Sequence, residues 1–387
     1  MTLRLSLQIP IKMTDQIKSK ESQSVPYPIH GGNPRAIAEA SGTDPDKIFD
    51  FSASINTLSP PGCVSQLLLE TPRLLREYPD PNCSLITERI SEATGIPKEW
   101  VLVTNGSTEM IYLLPHLLQE GQEIAILDPC FSEYEKAFRA FNIQPHSIIL
   151  EADNGFCANP SELFAQLDAI PPLGTIVLGN PASPTGKLYC ELLPELQEYC
   201  QKRDIVLIID EAFIDFSSAD NSAWNLLERN SNLILIRSLT KFYSIPGLRV
   251  GYGVLHPEKI RKIAPRQYPW SVNALAQAIG AEVILDKTFK KETRAETHRE
   301  RDFIFKALSS INEIEVFSSD ANFLLFRIQD ISLPANLYQH LLSQNLLIRN
   351  CGNFIGLDES FFRISLRSRE ENQKLVGSIK DYFISYK

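Results

Sequence analysis

From position 101 to 255 the chain repeats one pattern: a short, unbroken apolar run, a polar break, and then a stretch long enough for a helix. The runs fall at 101–103, 124–127, 148–150, 175–178, 205–209, 233–236 and 249–252. A strand with one wet face alternates apolar and polar positions, so unbroken runs predict strands covered on both faces. Separated by helices, they predict a mostly parallel α/β sheet. Beyond Asp286 the pattern changes to a charged helix over 287–309. Strands follow near 323–326, 346–348 and 362–365, with a closing helix from about 370, which predicts a second, smaller α+β unit. Residues 29–80 are rich in Pro, Gly, Ser and Asn and predict helix only at 36–41 and 64–76. The expected organisation is a tail over 1–28, with Met13 an alternative start, a joining segment over 29–80, a large domain over 81–285 and a small domain over 286–387.

Composition narrows the function. A chain of 387 residues exceeds what one core supports, in keeping with two lobes. A net charge of -9 argues against a nucleic-acid partner but leaves room for a small anionic substrate, which needs only a few local cations. Seven irregularly spaced cysteines fit a reduced, cytoplasmic protein. No apolar run approaches the roughly 20 residues of a membrane helix, and Leu3, Leu5 and Leu7 are interrupted by Gln8, Pro10 and Lys12 before a signal-peptide core can form.

The chemically interesting residues lie just after strands, where ligands of open α/β sheets collect. Lys241, in a segment with Ser238, Gly247 and Arg249, suits an amine that must lose its proton to attack an aldehyde; a strand-end lysine reaching solvent is the bland alternative. Asp210 and Glu211 end an apolar strand, and a buried carboxylate needs a cationic partner. That partner is either a protonated pyridine nitrogen on Asp210 or a structural ion pair. Gly106, Ser107 and Thr108 open a helix after a strand and offer free N–H groups to a phosphate, unless Glu109 marks a plain capping box. Phe131 is placed either to stack on a ring or to fill core, and Asn180 to Gly186 forms a polar turn that includes Ser183.

In their order along the chain these pieces resemble the fold-type I pyridoxal-phosphate (PLP) enzymes, an α/β fold with a large domain around a mostly parallel sheet and a smaller α+β domain. The resemblance runs from His30 onward. It implies PLP as cofactor, Lys241 as the residue joined to its aldehyde, Asp210 as the pyridine-nitrogen partner, and Gly106, Ser107, Thr108, Ser238 and Arg249 as the phosphate cup. It also implies a homodimer in which Tyr78 reaches the neighbouring subunit's phosphate. Within that group, His30-Gly31-Gly32-Asn33, residues 50–56, 210–216 and 238–249, and Pro269 to Asn273 are most similar to the threonine-phosphate decarboxylases, which make aminopropanol phosphate for cobalamin. Histidinol-phosphate aminotransferases are next; they have Tyr where Phe213 stands and lack the His-Gly-Gly-Asn start. Two positions depart from the family pattern. Ser183 stands in the turn where an Asn would bond the cofactor's phenolic oxygen, and Ser54 stands where an Asn lies near the substrate phosphate.

For the substrate, a phosphorylated amino acid, the resemblance implies Arg349 and Arg363 as carboxylate and phosphate anchors, with His30, Gly31, Ser54 and Asn56 beside them. Arginine's fork binds either anion in two places at once, although a lone Arg more often ends in a surface salt bridge. The expected reaction is decarboxylation, with Lys241 returning a proton to Cα, and the main rival is transamination. A hydrolase lacks its nucleophile elbow, and a P-loop at Thr185-Gly186-Lys187 fails because Pro181 and Leu188 occupy required positions.

Overall fold

The computed structural model describes residues 31–218, 221–229, 232–330 and 333–385. The expected tail over 1–28 and His30 lie outside the described residues. The seven apolar runs become one sheet: β1 (Val101–Thr104), β2 (Glu123–Asp128), β3 (His146–Ile149), β4 (Leu173–Gly179), β5 (Val206–Asp210), β6 (Leu233–Ser238) and β7 (Gly251–Val254). Their spatial order is β1-β7-β6-β5-β4-β2-β3. Pairing is parallel from β6 through to β3, whereas β7 runs antiparallel to both β1 and β6.

Both faces of this sheet are dry, which is why the runs are unbroken. Leu207, Ile209, Leu233 and Leu235 pack on one face with Leu127 and Leu178. Ile208, Ile234 and Ile236 pack on the other with Ile126 and Val177. The two-residue period continues into the polar strand ends. Asp210 and Ser238 therefore share the Ile208 and Ile236 face, while Arg237 falls on the Leu235 face.

A second sheet has the antiparallel order Arg349–Asn350, Phe361–Ser365, Phe323–Ile328, Ile314–Val316. The last of these is three residues long, too short to leave a periodic signal. The charged helix spans Lys287–Leu308, started by Asp286, whose carboxylate accepts from Phe289 N at 2.8 Å. The joining segment does not form a lobe. Phe49–Asp50 pairs in parallel with Leu346–Leu347, and Ser365 N donates to Phe51 O at 2.8 Å. Ile37 and Phe51 enter the core of the second sheet, whereas Val64 enters that of the first. Residues 52–54 thereby run between the two sheets.

Candidate active site

The carboxyl ends of the parallel strands meet residues 52–54 and the second sheet around a cavity of about 510 Å³. Ser54, Ser107, Asp210, Lys241, Arg349 and Arg363 all line it, with Gly31, Thr108, Phe131, Ser183 and Phe213. Register explains part of the convergence: Gly179 sits opposite Asp210, and Asp210 opposite Ile236. The turn after each strand is delivered to the same edge.

Lys241 lies half-buried with Nζ 4.2 Å from the centre of the Phe213 ring. Burial pushes its amine down to about 8, against the opposing pull of Asp210, with Arg363 and Arg249 adding to the depression. Asp210 is buried. Its Oδ2 accepts from the Tyr134 hydroxyl at 2.7 Å and its Oδ1 from Ala212 N at 2.8 Å. Desolvation raises its carboxyl, while Lys241 and the two hydrogen bonds oppose the rise. Neighbouring Glu211 takes the other fate. It binds Arg237 at 2.8 Å, Ser222 at 2.8 Å and Ala223 N on the far face. The structural ion pair accounts for Glu211, and Asp210 is left facing the cavity.

The helix Gly106–Leu113 has no side-chain cap on its first N–H groups. Glu109, in the first turn, instead accepts from Asn105 N at 2.6 Å. Gly106 has φ 73, and a Cβ there would stand 2.5 Å from the Arg249 guanidinium. Glycine therefore lets a cation lie against the helix start, a combination suited to phosphate. Thr104 and Ser238 both lie opposite Gly251 in register, and the Ser238 and Thr240 hydroxyls are 2.8 Å apart beside this cup.

The polar turn resolves one departure. Ser183 Oγ accepts from Arg363 at 2.8 Å. Asn180 is fully buried, its Oδ1 accepting from Tyr189 N at 2.8 Å, while its Nδ2 has no partner. An orphaned buried donor is costly, so the Asn180 amide has capacity left for the phenolic oxygen of a bound ring, as does the cavity-lining Ser183 hydroxyl, which accepts from Arg363 and keeps its own O–H to donate. With the uncapped helix start, buried Asp210 and low-pKa Lys241, the residues present fit PLP.

Arg349 and Arg363 sit directly opposite one another in adjacent strands. Arg349 donates to Asn350 O at 2.7 Å and Asn353 Oδ1 at 2.6 Å. Arg363 donates to Ser183 Oγ and to Ser52 O at 2.9 Å, while its Nε is buried without a partner. Burial pushes Arg363 down to about 10, the nearby Arg349 adding to the shift.

Not every expected residue belongs here. Asn56 is a correction: it is buried outside the cavity, donating to Phe242 O at 2.7 Å and Thr293 Oγ1 at 3.0 Å, while its N–H bonds Lys241 O at 3.0 Å. It braces the Lys241 segment rather than touching a substrate. Tyr78 is 79% exposed, stacked on Trp270 at 4.6 Å, and away from its own chain's cavity. Tyr134, Ser52 and Phe354 were not legible in advance. Tyr134 follows β2 like other site residues, but nothing in its surroundings marks it as Asp210's partner.

A model of the family "Aminotransferase class I and II" matches residues 46–379. The chain belongs to that family. It is a PLP-dependent enzyme, with the mostly parallel large sheet and smaller α+β unit of fold type I. It is 33% identical over 354 residues, 91% of this chain and 96% of the relative, to threonine-phosphate decarboxylase from Salmonella typhimurium. Among solved structures it is similar to histidinol-phosphate aminotransferase from Clostridium acetobutylicum, with TM-score 0.79 and 29% identity, covering 86% of this chain and 98% of that one. The fold is also that of histidinol-phosphate aminotransferase from Sinorhizobium meliloti in complex with pyridoxal-5'-phosphate, with TM-score 0.81 and 16% identity, covering 92% and 95%. No described helix is long and apolar enough to cross a membrane.

Proposed function

We propose that the enzyme decarboxylates L-threonine O-3-phosphate to (R)-1-amino-2-propanol O-2-phosphate, the amine used in cobalamin biosynthesis. The observation that carries this reading is the cross-strand pair Arg349 and Arg363, facing Lys241 across one cavity. Like charges placed directly opposite are unfavourable, so the pair is built to be neutralised by ligand anions. A phosphorylated amino acid brings two, a phosphate and a carboxylate. The 33% identity to a threonine-phosphate decarboxylase supports the same substrate class.

Bound PLP supplies an aldehyde for the substrate amine and an electron sink for the bond that breaks. Asp210, held by Tyr134, keeps the pyridine nitrogen protonated. Gly106, Ser107, Thr108, Ser238 and Arg249 would hold the cofactor phosphate, Asn180 its phenolic oxygen, and Phe131 one ring face. Phe213, with no hydroxyl, gives Lys241 an apolar wall instead. Arg349, Arg363, Gly31 and Ser54 fix the substrate anions. Held there, the substrate would present its Cα–carboxylate bond, and not Cα–H, for cleavage. Carbon dioxide leaves and Lys241 delivers a proton to Cα. The test is to supply the PLP-loaded protein with phosphothreonine, phosphoserine or histidinol phosphate. Carbon dioxide and aminopropanol phosphate in equal amounts support the reading. Conversion of the cofactor to its amine form with histidinol phosphate, and no carbon dioxide from either phosphoamino acid, would establish the aminotransferase.

The working unit in this reading is a two-fold homodimer in the cytoplasm, with Tyr78 lent to the partner's site. The exposed Tyr78–Trp270 stack supports it. Co-expressing a Lys241→Ala chain with a Tyr78→Ala chain should give more activity than the two variants expressed separately, because mixed dimers hold one site with both residues. Proven subunit exchange without recovery rules sharing out.

A further inference from the structure

A second cavity, about 430 Å³, lies on the Arg237 face of the large sheet, turned away from Asp210. One wall is apolar, with Ile96, Ile214, Trp224 and Leu285. The other carries Arg237 and one face of the helix Lys287–Leu308, where Lys287, Lys290 and Arg294 recur at helical spacing. Like charges three and four residues apart on a helix destabilise it, so their grouping calls for a counter-charge.

Only part of that counter-charge is present. Asp215 and Glu211 both pair with Arg237, at 2.9 and 2.8 Å, Asp215 also acts on Lys290, and Glu92, at the rim, pairs with Arg89 at 2.7 Å. Lys290 makes no side-chain hydrogen bond or ion pair among the described residues, and burial lowers its amine. Arg294 uses Nε on Asp215 O at 2.8 Å, leaving the rest of its fork open. Arg237 Nε is buried with no partner. Unmet donors beside an apolar wall define a site for an anion with an apolar body.

We propose that this cavity is a second binding site, for a small organic dianion of the phosphate-monoester class, held by Lys290 and Arg294, with the Arg237 Nε–H as a further donor and its apolar part against Trp224 and Leu285. Arg237 lies four residues before Lys241, so the site backs onto the segment that carries the reactive lysine. The inference stands apart from the decarboxylase reading.

The test uses the PLP-loaded chain carrying Arg349→Gln/Arg363→Gln, which removes the cations of the first cavity, with phenyl phosphate as probe. Calorimetry should give one equivalent bound per chain, with a change in tryptophan fluorescence that Trp224→Phe abolishes. Adding Lys290→Gln/Arg294→Gln should weaken binding at least tenfold, Lys290→Arg alone should retain it, and phenol should bind equally weakly to every variant. Circular dichroism and Tm identify folded variants, and the Lys290→Arg arm reads the site without removing its charge. Absence of phenyl phosphate binding, or an affinity unchanged by Lys290→Gln/Arg294→Gln, overturns the proposal.

Discussion

The end of the large sheet and the facing strands of the small sheet handle charge in opposite ways. At the large-sheet edge the charge is internally compensated: Asp210 has Tyr134, Ala212 N and the field of Lys241. On the small sheet, the hydrogen bonds of Arg363 among the described residues go to neutral oxygens, and it lies opposite another arginine. The first arrangement is preorganised for a resident group. The second is completed by whatever arrives. One side should therefore govern cofactor chemistry and the other substrate affinity, a division that single substitutions can break.

The largest effect is expected at Lys241. Lys241→Ala should lower turnover by roughly 10²–10⁴-fold or more, the range for losing a positioned proton-transfer group. It should also abolish the visible absorbance of lysine-bound cofactor with little change in Tm. Borohydride attachment of PLP to a different lysine would disprove the assignment. On the other side, Arg363→Gln should raise KM and lower kcat/KM by about 10–100-fold, as expected for hydrogen bonds to charged groups worth about 1.5–3 kcal/mol. Its absorbance spectrum should stay unchanged. A spectrum that shifted as much as the affinity would dissolve the division.

The depressed Lys241 amine gives a pH signature. An amine attacks only when neutral, and in the folded chain it becomes neutral above about 8 rather than 10.5. In the chain stripped of cofactor, the rate of PLP capture should rise with pH through about 8 and then level off. A rise continuing past pH 10 would mean that burial does not tune the residue. Tyr134→Phe should have a smaller effect, because Asp210 keeps Ala212 N: weaker PLP binding by about tenfold, for a lost bond to a charged group of about 1.5 kcal/mol. Unchanged affinity together with an unchanged pH dependence of the cofactor spectrum would make Tyr134 a bystander. The smallest change is expected from Ser54→Asn, a few-fold gain in preference for phosphothreonine over phosphoserine, below the roughly 10–200-fold that one methylene contributes in a closely fitted pocket. Ser54 already bonds Ser365 Oγ at 3.1 Å, and an unaltered ratio of kcat/KM values would show that it does not set specificity.

The sequence by itself determined the parts of this protein that depend on local order. Unbroken apolar runs mark strands dry on both faces, and those runs became β1 to β7. Lys241, Asp210 and Gly106 were legible because each lies at or just after the end of a strand, and strand ends share an edge whatever the rest of the chain does. Only the tertiary structure decided relations between distant residues. Asp210 and Glu211 are adjacent in sequence, and the two-residue period of β5 and β6, which fixes where Arg237 points, settles which of them meets the cavity. Ser183 and Asn180 lie in one turn, and Arg363, 180 residues beyond Ser183, engages the serine while the Asn180 amide stays open. Asn56 looked like a ligand residue until Phe242 O and Thr293 were seen to hold it. Tyr134 had no signal, because a hydrogen bond between residues 76 positions apart leaves no trace in the local pattern of either.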